Sequence, residues 1–133
     1  KNNKPYIIFP VKIVMTNYIQ NKNNYFENLT GECTHLKWAN EHINIIPINI
    51  YINQTPYLKK DKKIKKYEII KYKDIKIQKI LKDRNIVYDI IQYIFNVKHE
   101  NKIGDEYTIM PTVIGFDSKT PFRSFDEIFK NLI

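Results

Sequence analysis

The sequence predicts an α/β domain built on a central mixed sheet. Three observations carry this. Some segments alternate apolar with polar residues or are dense in β-branched ones, others place apolar residues at helical spacing, and one lysine-rich stretch fits neither pattern. The 133 residues suit a single domain, 1–133, and a hydrophobic content of 43% is enough to bury a core. In order, the elements read β-α-β, insertion, α-β-β-α.

Residues 6–15, YIIFPVKIVM, are rich in β-branched and aromatic side chains and predict a strand with Pro10 at an edge or bulge. The polar IQNKNNYFENLTGE that follows, residues 19–32, reads as a loop. Leu36, Trp38, Ala39 and Ile43 give a short helical pattern. Residues 43–53, INIIPINIYIN, then set Ile46, Ile48, Ile50 and Ile52 on one face of a second strand. Beyond the lysines, KDRNIVYDIIQYIFNVK (82–98) spaces Ile86, Val87, Ile90, Ile91, Ile94 and Phe95 as one face of a helix. Asp83 can cap its start, and Lys98 meets the negative end of its dipole. A loop, HENKIGDE, leads to a strand in YTIMPTVIGFD (107–117), where Pro111 follows Met110. After the turn DSKTP, Ser124 and Glu127 form an S-x-x-E capping box. It opens a closing helix that buries Phe125, Ile128, Phe129 and Leu132.

One cysteine cannot form an internal disulfide, and with three scattered histidines it offers no zinc spacing, so no metal is expected and a reducing intracellular compartment is. No apolar run reaches the length of a membrane span, and the opening KNNKPYIIF lacks the apolar core of a signal peptide. The abundance of Asn, Lys, Ile and Tyr matches the coding bias of an AT-rich genome.

From Lys59 to Lys82, eleven lysines stand against three acids, Asp61, Glu68 and Asp74, an excess equal to the net charge of the whole chain, +8. The first part, LKKDKKIKK, has few core candidates and reads as a solvated loop. YEIIKYKDIKIQKIL alternates lysine with Tyr72, Ile75 and Ile77, as an exposed strand or hairpin edge does, where lysine discourages sheet-to-sheet aggregation. The stretch at about 55–82 is thus an insertion, either merely solvated or a phosphate-binding surface. In the second case Lys59, Lys60, Lys62, Lys63, Lys65 and Lys66 are the candidate contacts, with Tyr57, Tyr67 and Tyr72 interleaved.

Three stretches, GECTHLKWANEHINIIPINIYIN (31–53), DRNIVYDIIQYIF (83–95) and IMPTVIGFDSKTPFRSFDEIFKNL (109–132), resemble the glutaredoxin family in order. The first is similar to its nucleophile-cysteine turn, helix and second strand. The second resembles its next helix, and the third its proline-bearing strand, turn and closing helix. Together they cover about half the chain. The resemblance implies a thioredoxin-like three-layer sandwich, with Cys33 at a helix N-terminus as the catalytic thiol and glutathione as the bound cofactor. It also implies that Met110 and Pro111 align the glutathione as an added strand, and that Ser124, Asp126 and Glu127 hold its γ-glutamyl end. A thiol at a helix N-terminus ionises more readily because free backbone N–H groups and the dipole stabilise the thiolate. Thr34, His35 and Leu36 follow Cys33, so the chemistry would be monothiol. Glu32 beside it raises the thiol pKa, and Arg123 and Ser124 stand where the family has paired glycines.

Two functions follow as expectations. The first is a divergent monothiol glutaredoxin-like protein that binds glutathione or exchanges thiols with a glutathionylated protein. The second is a catalytically inactive thioredoxin-fold subunit of a larger protein–RNA assembly, such as an organellar ribosome in a mitochondrion or plastid, which touches RNA through the lysine-rich insertion.

Overall fold

The computed structural model describes residues 6–15, 17–61, 64–102, 108–117 and 125–130. Two short strands, β1 (Ile7–Ile8) and β2 (Val11–Val14), precede a long helix, α1 (Tyr18–Ala39), and two more, β3 (Asn44–Ile45) and β4 (Ile48–Ile52), follow it. A hairpin of β5 (Gln54–Leu58) and β6 (Ile64–Ile69) comes next. Then a helical segment runs through α2 (Tyr72–Ile75), a 3₁₀ turn (Lys76–Lys79) and α3 (Ile80–Asp83). Two long strands, β7 (Ile91–Lys102) and β8 (Thr108–Phe116), and the helix α4 (Phe125–Lys130) complete the order.

The main sheet is mixed, in the order β2-β4-β7-β8: β2, β4 and β7 run parallel, and β8 returns antiparallel to β7. β1 pairs with β3 at the same 37-residue offset that pairs β2 with β4, so the four make one ladder. Pro10 and Pro47 interrupt it, each lacking the N–H a continuous strand would donate. Around the break, the Ile46 and Ile48 amides still donate to the Ile8 and Pro10 carbonyls at 2.9 and 2.8 Å.

Successive strand residues point to opposite faces, which sorts the core. On one face Val14, Tyr51 and Ile94 pack with Tyr18 of α1 and Ile75 of α2, while Ile45, Ile90 and Leu81 pack with Leu29 and Cys33 of α1. On the other, Ile48 and Ile91 pack with Ile128 of α4. The first face also holds a buried polar cluster. Gln78, in the 3₁₀ turn, accepts N–H groups from Asn49 and Gln92 and donates to the Tyr51 hydroxyl, while Gln92 also donates to the Ile75 carbonyl at 3.1 Å. The segment carrying the second half of the lysines is therefore fastened to the sheet by side-chain amides as well as by Ile75 and Leu81.

Mixed α/β architecture agrees with the sequence reading, as do the strands at β4 and β8 and the closing helix. Three expectations change. Residues 19–32 are the first turns of α1 rather than a loop, because Tyr18, Tyr25, Leu29, Cys33 and Leu36 recur at steps of seven, four, four and three and face the core. The predicted helix at 82–98 is the end of α3, a turn with Asn85 at φ 59°, and the start of β7. There the apolar run is that of a strand buried on both faces, with Ile91 and Ile94 on opposite sides of the sheet, and β-branched residues favour that state. Finally, residues 72–83 are helical rather than an exposed strand, and the hairpin lies one segment earlier, at β5 and β6.

Gly31 lies inside α1 with nothing within 4 Å of where a Cβ would stand. Replacing Gly31 with Ala should raise stability by about 1 kcal/mol by removing unfolded-chain freedom. The readout is an increased urea midpoint at constant m.

Candidate nucleic-acid interface

Nine lysines between residues 59 and 82 are described, namely Lys59, Lys60, Lys65, Lys66, Lys71, Lys73, Lys76, Lys79 and Lys82, and all nine are exposed. Lys62 and Lys63, at the hairpin tip, lie outside the described residues. Two of the three acids in this stretch are turned to other work. Glu68 is buried, and its carboxylate caps α1 from the hairpin: one oxygen accepts the Tyr18 N–H at 3.0 Å, and the other lies 2.8 Å from the Tyr57 hydroxyl. Asp74 accepts the Lys71 N–H at 2.8 Å and so closes the start of α2. Of the nine lysines, only Lys82 has a carboxylate within ion-pairing distance among the described residues, Asp89 at 3.2 Å.

Two of the three acids that would neutralise the segment are thus engaged in holding its fold, Asp61 is exposed near the hairpin tip, and the nine described lysines face outward. Tyrosines support three of these cations. Lys66 lies 5.4 Å from the Tyr57 ring centroid, and Lys76 and Lys79 lie 5.4 and 5.2 Å from that of Tyr72, all within cation–π range.

The thiol site implied by the resemblance is arranged differently. Cys33 sits in the last third of α1, not at a helix start, and is fully buried among Leu29, Ile43, Ile45 and Leu81. Burial pushes its pKa up to about 11, and Glu32 adds to the rise. Lys12 works against it, but its ammonium is engaged with Glu32 at 3.4 Å. Pro111 pairs with His99, nine residues beyond Ile90 of the Cys33 cluster, or roughly 30 Å of strand at 3.3 Å per residue. Met110 pairs with Glu100 in the same ladder, and among the described residues no peptide bond is cis.

Asp126 and Glu127 lie exposed in the first turn of α4, and Ser124 lies outside the described residues. Because Ile128 packs on Ile46 and Ile91 whereas Cys33 packs on Ile45 and Ile90, the sheet stands between α4 and the thiol. Cys33, Pro111 and the α4 start are not brought together. At the start of α1 the Glu68 carboxylate already accepts the Tyr18 N–H.

The sequence reading named Lys59, Lys60, Lys62, Lys63, Lys65 and Lys66 as candidate phosphate contacts and left Lys71, Lys73, Lys76, Lys79 and Lys82, all exposed, out of that set. The signal that finds four of these five is the three-residue step of lysine at 73, 76, 79 and 82, in register with buried Ile75, Gln78 and Leu81. Among the described residues, no group of three His, Cys, Asp or Glu side chains is placed to hold a metal, and no helix is long and apolar enough to cross a membrane. Compared with known protein families, curated proteins and solved structures, the chain matches none.

Proposed function

We propose that the chain is an RNA-binding subunit of a larger protein–RNA assembly, contacting phosphate through the exposed lysines between residues 59 and 82. The observation that carries the reading is the disposition of charge: nine described lysines stand outward, while Glu68 and Asp74 are bound within the fold. On this reading the scaffold is a thioredoxin-like sandwich with a basic insertion. The β-α-β opening and the closing helix support that description, while the parallel run of β7 beside β4 and the place of Cys33 in the last third of α1 count against it. A buried, unpaired cysteine suits a reducing compartment, with a mitochondrion or plastid as the proposed setting. Glutathione exchange has less support, because it needs an accessible thiolate.

Fluorescence anisotropy with a labelled RNA, titrated from 50 to 200 mM salt, tests the proposal. Engagement of about six phosphates by a single strand predicts a log–log slope near −4, so affinity should fall roughly 300-fold over that range. Joint substitution of Lys59, Lys60, Lys65 and Lys66 by Gln should flatten the slope. A flat response in the unaltered protein would overturn the reading and leave the insertion as solvated surface.

A further inference from the structure

A three-residue step does not usually keep side chains in line on a helix, since each step of three falls about 60° short of a full α-helical turn. The segment from Tyr72 to Asp83 reduces this drift because its middle, Lys76–Lys79, is a 3₁₀ turn, in which residues i and i+3 eclipse. Ile75, Gln78 and Leu81 form one column, buried against the sheet. Lys76, Lys79 and Lys82 form the neighbouring column, exposed, with steps of about 6 Å along the 3₁₀ turn. Tyr72 stands at one end of it, its ring within 5.4 Å of both the Lys76 and Lys79 ammonium groups.

Beside the column opens a cleft of about 300 Å³, lined by Tyr72, Lys79, Lys82 and Asp83 on the helical side and by Asp89 and Gln92 near the start of β7. Asp89 holds Lys82 at 3.2 Å and accepts the Ile90 N–H at 2.7 Å, so Lys82 is partly neutralised whereas Lys76 and Lys79 have no carboxylate within ion-pairing distance among the described residues.

We propose that this column and cleft form a site for an unpaired RNA strand, with Lys76 and Lys79 on neighbouring phosphates and an unstacked base lodged against Tyr72 in the cleft. The inference rests on the RNA reading above and narrows it to single-stranded RNA. A line of cations tracks one backbone, and a cleft beside it with an aromatic wall is of use only to a base that has left its stack. A duplex keeps its bases inside and would meet the lysines alone.

The test compares a single-stranded RNA with a duplex of the same length by anisotropy over a range of salt. The proteins are the unaltered chain, the double variant Lys76→Gln/Lys79→Gln, the single variant Lys82→Gln and Tyr72→Leu. Circular dichroism confirms that each is folded. On the single strand the double variant should reduce the salt slope by about 1.4, at about 0.7 per phosphate, and Lys82→Gln by less because Asp89 already engages it. Tyr72→Leu should weaken single-strand binding by about tenfold while leaving the slope and duplex binding near their original values. Should Tyr72→Leu fail to fold, the lysine variants decide the matter, since their side chains are exposed. If the chain binds RNA with a steep slope that the double variant leaves unchanged, or prefers the duplex, this site is overturned and the broader RNA reading stands. If the unaltered chain shows no salt-dependent binding, both fall.

Discussion

At pH 8 the native protein should react with a thiol-alkylating reagent at least about 100-fold more slowly than the same chain unfolded in denaturant. Alkylation consumes the thiolate. Moving the Cys33 pKa from 9.0 to about 11 lowers the thiolate fraction by about two decades before any steric shielding is added. Full burial within α1 supplies that shielding. The same shift sets a stability dependence on pH. The folded pKa lies above the unfolded one, so the contribution is fully present below about pH 9 and is lost as pH rises through about 11. Denaturant midpoints should decline over that window and decline less in Cys33→Ala. Glu32→Gln should lower the thiol pKa only modestly, because burial is the larger cause of the shift. A native thiol that alkylated as fast as the unfolded one, and that glutathione disulfide could cap, would bring thiol exchange back ahead of the scaffold reading.

What the sequence disclosed was governed by how each segment is buried. β4 could be read because Ile48, Ile50 and Ile52 alternate with Asn49 and Tyr51, and α4 because its apolar residues follow an acidic first turn. β7 could not, since Ile90, Ile91, Ile94 and Phe95 fall at helical spacing by coincidence of a strand whose two faces are both covered, and only the pairing with β4 decides between the periods. α1 was hidden by composition: Asn, Lys, Glu and Thr fill its solvent side, and the core face is carried by Tyr18, Tyr25, Leu29 and Cys33 among them. Reading residues 19–32 as a loop moved the helix start down to Cys33 and so created the apparent redox site.

The lysine excess was legible by counting. Its exposure was legible too, but the engagement of Glu68 was not, because that depends on its meeting the Tyr18 amide across fifty residues of chain. The resemblance rested on short motifs whose order is matched but whose spatial meeting depends on the elements between them. Once 83–95 is a turn and a strand, Pro111 belongs to a ladder running away from Cys33. The basic surface survives this rearrangement because charge density does not depend on which secondary structure presents it, whereas a thiol site does.

Replacing Gln78 with Leu should cost about 3 kcal/mol or more, although the two side chains are close in volume. Gln78 is buried and serves three partners at once, accepting from Asn49 and Gln92 and donating to Tyr51. Gln92 keeps its bond to the Ile75 carbonyl, but the buried Asn49 amide loses its acceptor and the Tyr51 hydroxyl one of its partners, with Gln92 and Tyr18 still beside it. Each buried group left unpaired costs about 1–3 kcal/mol. The low-dielectric surroundings that strengthen a satisfied network make a broken one more costly, so the loss should exceed that of an equal change in apolar volume nearby. Urea unfolding supplies the measurement, with a reduced midpoint at constant m. Adding Asn49→Leu to Gln78→Leu removes the orphaned amide along with its partner and should recover part of the loss, which simple overpacking would not allow. A cost under about 0.5 kcal/mol for Gln78→Leu would mean that the amides find other partners and that Ile75 and Leu81 alone seat the lysine-bearing segment on the sheet.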